Sequence, residues 1–302
     1  MAVKTVQAIV NGVTTTLTLN ESTGKYEATM TAPNKSSYNQ SGHYYGVTVK
    51  VTDQAGNVTT KDANDATLGA SLKLTVKEKV APTLAFTYPS AGALIINNKP
   101  QIKWTVRDDD SGVNPDTIGI TIDSGSKITS GIVKTSVDGG YDCSYTPTTA
   151  LADGSHTIKI DASDYDGNAA TQKSVTFKID TVPPTLNITA PAAGLITNKS
   201  ACKVTGTTND VTSSPVKVTV KLNSGSAESV AVGTDGSFTK NLTLVEGVNT
   251  ITIVATDSAG KATTVTRTVT LDTKAPTISA VTLTPNPVDA GQTYVITVTV
   301  SD

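Results

Sequence analysis

The stretch GSHTIKIDASDYDGNAATQKSVTFKIDTVPPT, residues 154–185, decides the fold. Apolar and polar side chains alternate along 158–160 and again along 175–179. A period of two indicates β-strands that bury one face and expose the other. The Asp/Gly-rich segment 164–168 supplies a turn between the two strands, and the proline pair in 183–185 ends the second. This stretch therefore predicts an antiparallel hairpin of a half-buried sheet.

The proline that follows the second strand and the Asp/Gly turn between the strands both recur along the chain. The marker prolines Pro82, Pro184 and Pro276 each precede a threonine and lie 102 and 92 residues apart. The turn recurs in three copies: Asp53-Gln-Ala-Gly-Asn57, Asp164-Tyr-Asp-Gly-Asn168 and Asp257-Ser-Ala-Gly-Lys261. A period near 100 residues is typical of one β-sandwich domain. The sequence predicts a tandem array of such domains.

The composition favours β structure and excludes several function classes. Charged residues make up 17% of the 302, the formal net charge is −2, and no basic cluster stands out, so nucleic-acid binding is not expected. No apolar run reaches membrane-spanning length. The chain opens directly on a strand pattern without secretory-signal features, which predicts either release by lysis or assembly, or removal of a signal.

The two cysteines, Cys143 and Cys202, fall in different predicted domains, each on an inward-facing strand position. Core positions of separate domains cannot bring their Cα atoms within the ~7 Å that a disulfide needs. The sequence predicts two buried free thiols.

Three features carry a resemblance to a known family. The Pro-Thr dipeptide at each marker, the Asp-Ser-Gly-Val turn at 110–113 and the Asp-x-Ala-Gly-Asn turn resemble those of bacterial immunoglobulin-like (Ig-like) domains. The resemblance implies an all-β chain of tandem Ig-like β-sandwiches. Such domains occur in tandem in phage virion and tail proteins and in bacterial surface proteins, which implies a location in a virion, or extracellular on a cell surface. The resemblance identifies the fold better than the function.

The repeats predict four segments with partial domains at both ends. Residues 1–80 form an incomplete Ig-like domain that lacks the first two strands, and 81–182 and 183–274 form complete domains. Residues 275–302 form a strand pair without a domain of its own. The register agrees, because an aspartate follows each marker proline by 26 residues, at Asp108, Asp210 and Asp302.

These complementary ends suggest donor-strand complementation, in which the strand pair of one copy completes the first domain of the next. Such a contact does not close, so it propagates head to tail into a filament. The predicted donor side chains are Ile278, Val281, Leu283, Tyr294, Ile296, Val298 and Val300. The predicted acceptor side chains are Val6, Ala8, Val10, Val47, Val49, Val51, Leu72, Leu74 and Val76.

Other interpretations of the ends stay open. Further domains of the same polypeptide would complete the strand pair equally well, and the first domain would also accept a different protein. The predicted function is a structural fibre, stalk or decoration whose partners are copies of itself and other virion or cell-surface proteins. The alternative is a monomeric adhesin that binds a glycan or a receptor.

The sequence offers little for catalysis, and we predict that the protein is not an enzyme. His43 and His156 are its only imidazoles, and neither has a sequence partner for nucleophilic or metal chemistry. No cofactor is predicted, with calcium as the one alternative. Asp108, Asp110, Asp164 and Asp166 are the candidate oxygen ligands. The same positions favour aspartate for turn formation alone, so both interpretations stay open.

Overall fold

The structure is a computed structural model that describes residues 2–302. The described residues form β-strands and two short 3₁₀ turns, Ser41–His43 and Gly69–Leu72, which confirms the predicted all-β fold. No helix among them is long and apolar enough to cross a membrane. The chain divides into two compact units, one ending at Ile179 and the other starting at Asp180.

The larger part of the first unit is a two-sheet sandwich, which we call sandwich 1. Its strands in chain order are β7 (Thr83–Tyr88), β8 (Leu94–Ile95), β9 (Ile102–Arg107), β10 (Val113–Ile122), β11 (Val133–Val137), β12 (Gly140–Tyr145), β13 (Gly154–Asp164) and β14 (Lys173–Ile179). One sheet has the order β11-β12-β9-β7 and the other β10-β13-β14-β8. The facing sheets enclose one core.

This core follows the alternation in the sequence. Trp104 and its neighbours Ile102 and Val106 are almost completely buried from one sheet, and Ile158, Ile160 and Phe177 meet them from the other. Cys143 is buried in the same core, and burial raises the pKa of its thiol to about 11.

The second unit contains sandwich 2, which repeats the arrangement. Its strands are β15 (Thr185–Ala190), β16 (Leu195–Thr197), β17 (Ala201–Asn209), β18 (Lys217–Leu222), β19 (Glu228–Val230), β20 (Ser237–Thr243), β21 (Gly247–Thr256) and β22 (Ala262–Leu271). The sheets have the orders β15-β17-β20 and β16-β22-β21-β18-β19. Val204, Ile251, Ile253 and Val269 are fully buried, and Cys202 is a buried free thiol.

Each sandwich has eight strands, because its opening segment switches from one sheet to the other and forms two strands. In sandwich 1, β7 pairs antiparallel with β9, whereas β8 pairs in parallel with the last strand, β14. Pro89, directly after β7, has no amide hydrogen to continue the ladder. Sandwich 2 repeats the switch between β15 and β16.

The first unit begins with one sheet, which we call the first sheet. Its strands are β1 (Val3–Val10), β2 (Val13–Asn20), β3 (Lys25–Glu27), β4 (Tyr45–Asp53), β5 (Val58–Lys61) and β6 (Lys73–Leu74). The order is β3-β2-β1-β4-β5, and β6 also pairs with β4. Its buried cluster consists of Val10, Tyr45 and Val76, far fewer residues than in either sandwich.

Two predicted strands of the first sheet are shorter than expected. Strand β3 ends at Glu27, and the strand that carries the predicted acceptor residues Leu72, Leu74 and Val76 is only Lys73–Leu74 long, with Leu72 inside a 3₁₀ turn. The last strand is divided because β5 and β6 pair with separate parts of β4, and residues 62–72 loop out between them.

The strand pair consists of β23 (Thr277–Thr284) and β24 (Val295–Ser301). They pair only with each other and form a two-stranded sheet.

The ring of His156 lies where β13 begins, and both of its nitrogens face oxygen atoms. Nδ1 is 2.8 Å from Asp123 Oδ2, and Nε2 is 2.7 Å from the carbonyl oxygen of Ala152. Burial lowers the pKa of His156, but the two hydrogen bonds and the Asp123 charge outweigh burial, so the pKa is raised overall. In sandwich 2 the equivalent pair is neutral, since Asn223 donates to Asn249.

We predict that sandwich 1 loses stability as the pH rises through the raised pKa of His156. The folded state holds the imidazole proton more tightly than the unfolded chain, so this contribution is complete below the unfolded value of about 6.5 and disappears above the folded one. Thermal unfolding followed by circular dichroism from about pH 5 to pH 8 measures the effect. The double variant Asp123→Asn, His156→Asn, which copies sandwich 2, serves as the control. An equal pH dependence in both proteins would contradict the prediction.

The indole of Trp104 fills the centre of sandwich 1, but its Nε1 is buried without a hydrogen-bond partner. We predict that Trp104→Ala lowers the free energy of unfolding by about 3–5 kcal/mol, because it leaves a large cavity. Trp104→Phe is expected to cost clearly less, since it also removes a buried unpaired donor. Calorimetric or circular-dichroism melts of the two variants test this, and equal losses would count against it.

Candidate functional sites: an uncovered strand pair and two acidic triads

The strand pair has the register of the first hairpin of each sandwich. Ile278 lies opposite Val300, two and 24 residues after the marker proline. Leu84 and Val106 of sandwich 1 have the same offsets, as do Leu186 and Thr208 of sandwich 2, and both are paired in the same way. The pair is therefore the equivalent of β7–β9 and of β15–β17.

One face of this pair is apolar and uncovered. Val281 lies opposite Val298, and Leu283 lies opposite Ile296, so these side chains share a face with Ile278 and Val300. The seven predicted donor side chains, Tyr294 included, are 41–67% exposed. At the equivalent positions of sandwich 1, Ile102, Trp104 and Val106 are at most 1% exposed. The face has the composition of a core without the second sheet.

The first sheet has an apolar face that is only partly covered by other residues. Its strand β4 is equivalent to β13 and β21, because each leads into a copy of the Asp/Gly turn. Val47, Val49 and Val51 of β4 are only half-buried. Their equivalents are at most 4% exposed: Ile158, Ile160 and Ala162 in sandwich 1 and Ile251, Ile253 and Ala255 in sandwich 2. On the other predicted acceptor strand, β1, the side chains of Val6, Ala8 and Val10 are buried. The cover over the first sheet is therefore partial.

The missing cover corresponds to a free strand edge. Strand β2 pairs with β1 through Leu17 and then with β3 through Asn20, which makes β2–β3 the equivalent of β11–β12. In sandwich 1, β12 continues the sheet by pairing with β9. Strand β3 pairs only with β2. The free edge of β3 and the following residues 28–31 lie where a β9 equivalent would pair.

A triad of buried carboxylates lies at the start of sandwich 2. One carboxylate oxygen from each of Asp180, Asp210 and Asp257 lies within 4.8 Å of the other two. Asp180 precedes the marker proline by four residues, Asp210 follows it by 26, and Asp257 opens the Asp/Gly turn. Two charges at this separation repel by about 3 kcal/mol at an effective dielectric constant of about 20. The triad needs compensation by donors, protons or a cation.

Hydrogen-bond donors supply only part of this compensation. Asp210 Oδ1 accepts the amides of Thr212 and Ser213, and the hydroxyl of Ser213 donates to Asp180 Oδ2. Asp257 Oδ1 accepts the amide of Lys261, 2.8 Å away. Oδ2 of Asp257, a residue 5% exposed, is buried without a hydrogen-bond partner. One strong acceptor in the cluster is therefore left without a donor.

An equivalent triad in the first unit consists of Glu78, Asp108 and Asp164, with oxygens again within 4.8 Å. Burial raises the pKa of Glu78, and the neighbouring Asp164 and Asp108 carboxylates raise it further. The side-chain amide of Asn168 donates to Asp164 Oδ2, which leaves that oxygen better satisfied than its equivalent in Asp257. Burial also raises the pKa of Asp164, but its hydrogen bonds with Asn168 outweigh burial and lower the pKa overall, so Glu78 is the member whose pKa is raised.

The four calcium candidates predicted from the sequence separate into two groups. Asp108 and Asp164 belong to the triad of the first unit. Asp110 Oδ1 accepts the amide of Ser36, and Asp166 Oδ2 accepts the amide of Glu78, so both fasten the loops of sandwich 1 to the preceding segment. The sequence reasoning missed Glu78 and the triad of sandwich 2. The recurrence of an acidic residue four positions before each marker proline was the available signal.

Tyr38 and Tyr45 of the first unit are used in packing. Tyr45 is buried in the first sheet. The Tyr38 ring stacks on Tyr165 with centroids 4.0 Å apart, and on His43 at 4.3 Å. Tyr38 therefore presents neither ring face as a free surface for a sugar.

Comparison with known proteins agrees with this architecture. Residues 93–181 match the family model of the bacterial Ig-like domain, and residues 184–273 match that of glucodextranase domain B. A search of curated proteins found no match.

Similar solved structures include fibronectin-like modules and immunoglobulin domains. The fibronectin(III)-like modules of Clostridium thermocellum CbhA are 19% identical, with a TM-score of 0.34, over 63% of this chain and 94% of that one. Immunoglobulin domains 1–4 of Sidekick-1 are 10% identical, with a TM-score of 0.40, over 90% of this chain and 68% of that one. Together, the repeats, the sheet topology and the family matches over residues 93–181 and 184–273 identify the chain as a tandem Ig-like protein.

Proposed function

We propose that this protein is a structural subunit of a fibre, stalk or decoration, in a virion or outside the cell, and that its copies join head to tail by donor-strand complementation. The strand pair 275–302 of one copy completes the domain formed by residues 1–80 of the next. Ig-like repeats are typical of structural and surface-associated modules, which supports the general role.

The uncovered strand pair carries this proposal. Its apolar face has the side-chain types and the register of a sandwich core, and it has no second sheet. The first sheet has a partly covered face and a free β3 edge. A two-stranded ribbon is marginally stable in water unless it packs against another element. Docking the pair on the first sheet of another copy buries the apolar face of the pair and completes the cover of the first sheet in one interface.

The sandwiches supply a template for the register of this contact. Gly139 in sandwich 1 and Gly24 in the first unit have the same positive φ, 69°, and each lies two residues before a tyrosine, Tyr141 and Tyr26. In sandwich 1, Cys143 pairs with Trp104. The equivalent pair between two copies is Ala28 with Val298. The pairing seen in sandwich 2 would shift the contact by two residues, to Ala28 with Ile296, and would keep the same inward face.

We predict that Val298→Lys abolishes head-to-tail association, because it places a charge in the new core. Thr297→Lys is the matched control, since Thr297 points to the opposite face of β24, which stays in solvent in the docked arrangement. Sedimentation velocity over a concentration series measures the association. If the unmodified chain stays a monomer, the cover comes from another segment or another protein and this proposal is wrong.

Disulfide trapping tests the register separately. We expect the double variant Ala28→Cys, Val298→Cys to form covalent ladders on mild oxidation, with Ala28→Cys, Ile296→Cys as the alternative register. Ladders should disappear under reducing conditions and should be absent from each single variant, because Cys143 and Cys202 are buried. Polymers that form without trapping by either double variant would contradict this register.

A further inference from the structure

Three acidic positions recur around each marker proline. They lie four residues before the proline, 26 residues after it, and at the first residue of the Asp/Gly turn. The two triads described above occupy these positions around Pro82 and Pro184. Around Pro276 the first two positions are Asp272 and Asp302. The third position is supplied by the one Asp/Gly turn that belongs to neither triad, the turn of the first unit that begins with Asp53.

The local geometry of this third set matches the two complete triads. Asp272 Oδ1 accepts the amide two residues later, from Lys274, as Asp180 does from Val182. Asp53 Oδ1 accepts the amide of Asn57 at 2.8 Å, which is the contact that Asp257 makes with Lys261.

The third set differs from the complete triads in exposure. Asp272 and Asp302 are exposed and Asp53 is half-exposed, whereas Asp164, Asp180 and Asp257 are buried. Donor-strand docking would bring these three carboxylates together, because Asp272 lies just before the pair, Asp302 ends it, and the acceptor carries Asp53.

We propose that each triad binds a divalent cation of the calcium type, and that the third site forms only between two copies, from Asp272 and Asp302 of one and Asp53 of the next. This inference rests on the proposed head-to-tail assembly. The cation would then act as a bridge at the joint between subunits.

The chemistry of the triads favours calcium among common cations. All three ligands are carboxylates, without the cysteine or histidine that zinc prefers. The buried Oδ2 of Asp257 lacks a donor and needs a positive partner. Calcium also tolerates irregular oxygen coordination better than magnesium does.

Self-association of the full chain in CaCl2 and in EDTA tests this proposal. Extracellular calcium modules bind with Kd values of about 10⁻⁴–10⁻³ M, so about 2 mM CaCl2 is suitable. We expect calcium to strengthen association roughly 5- to 150-fold, the usual range of binding couplings. Asp53→Asn and Asp272→Asn should each remove this gain. Asp62→Asn, an exposed aspartate of the same unit as Asp53, should not.

The outcomes separate this inference from the proposed function. Equal polymerisation in calcium and EDTA would overturn the cation bridge and leave donor-strand assembly intact. The absence of polymers under both conditions would overturn both proposals.

Calorimetric titration with CaCl2 supplies a second readout. Asp53→Asn should bind one ion fewer per chain and lose calcium-dependent association. Asp257→Asn should also bind one ion fewer but should keep calcium-dependent association, because its triad is internal. An unchanged number of bound ions in Asp257→Asn would contradict the internal site.

Discussion

A β-sheet with one apolar face needs a second apolar surface within contact distance, and the rest of this structure depends on that constraint. Both sandwiches satisfy it internally, with Trp104 and Phe177 meeting across one core and Val204 and Ile253 sharing the other. The strand pair and the first sheet do not satisfy it, since Val298 is exposed and Val49 is half-buried. The hydrophobic effect favours covering both of these apolar faces.

Much of the fold was predictable from the sequence because the alternation is regular and the turns repeat. The inward residues of β9, β13 and β14 follow directly from period-two patterning. The sheet switch at β8 and the division of the last strand of the first sheet were not predictable. Both depend on which neighbour a short segment pairs with, and β8 and β6 are each only two residues long. A run that short has no periodicity of its own.

The acidic sites were predicted less completely, for a different physical reason. Aspartate in a turn has a backbone role whatever else it does, and Asp110 and Asp166 accept backbone amides of the preceding segment. Five of the six carboxylates in the triads are buried, whereas Asp110 and Asp166 are half-buried, as Glu78 is. Burial at a turn cannot be read from residue type, but a position that stays acidic in every repeat, such as Glu78, Asp180 and Asp272, does not follow from turn preference alone.

The parallel contact between β8 and β14 has a mechanical consequence. Leu94 and Ile95, which follow β7, pair with Lys178 and Ile179, so a segment near the start of sandwich 1 lies beside the segment that leaves it and runs in the same direction. Tension that pulls these two segments apart along the chain slides one strand past the other and loads all of their hydrogen bonds simultaneously. Peeling an antiparallel hairpin from its end would break its bonds one at a time. Sandwich 2 has the same arrangement between β16 and β22, so both repeats contain this shear-loaded contact.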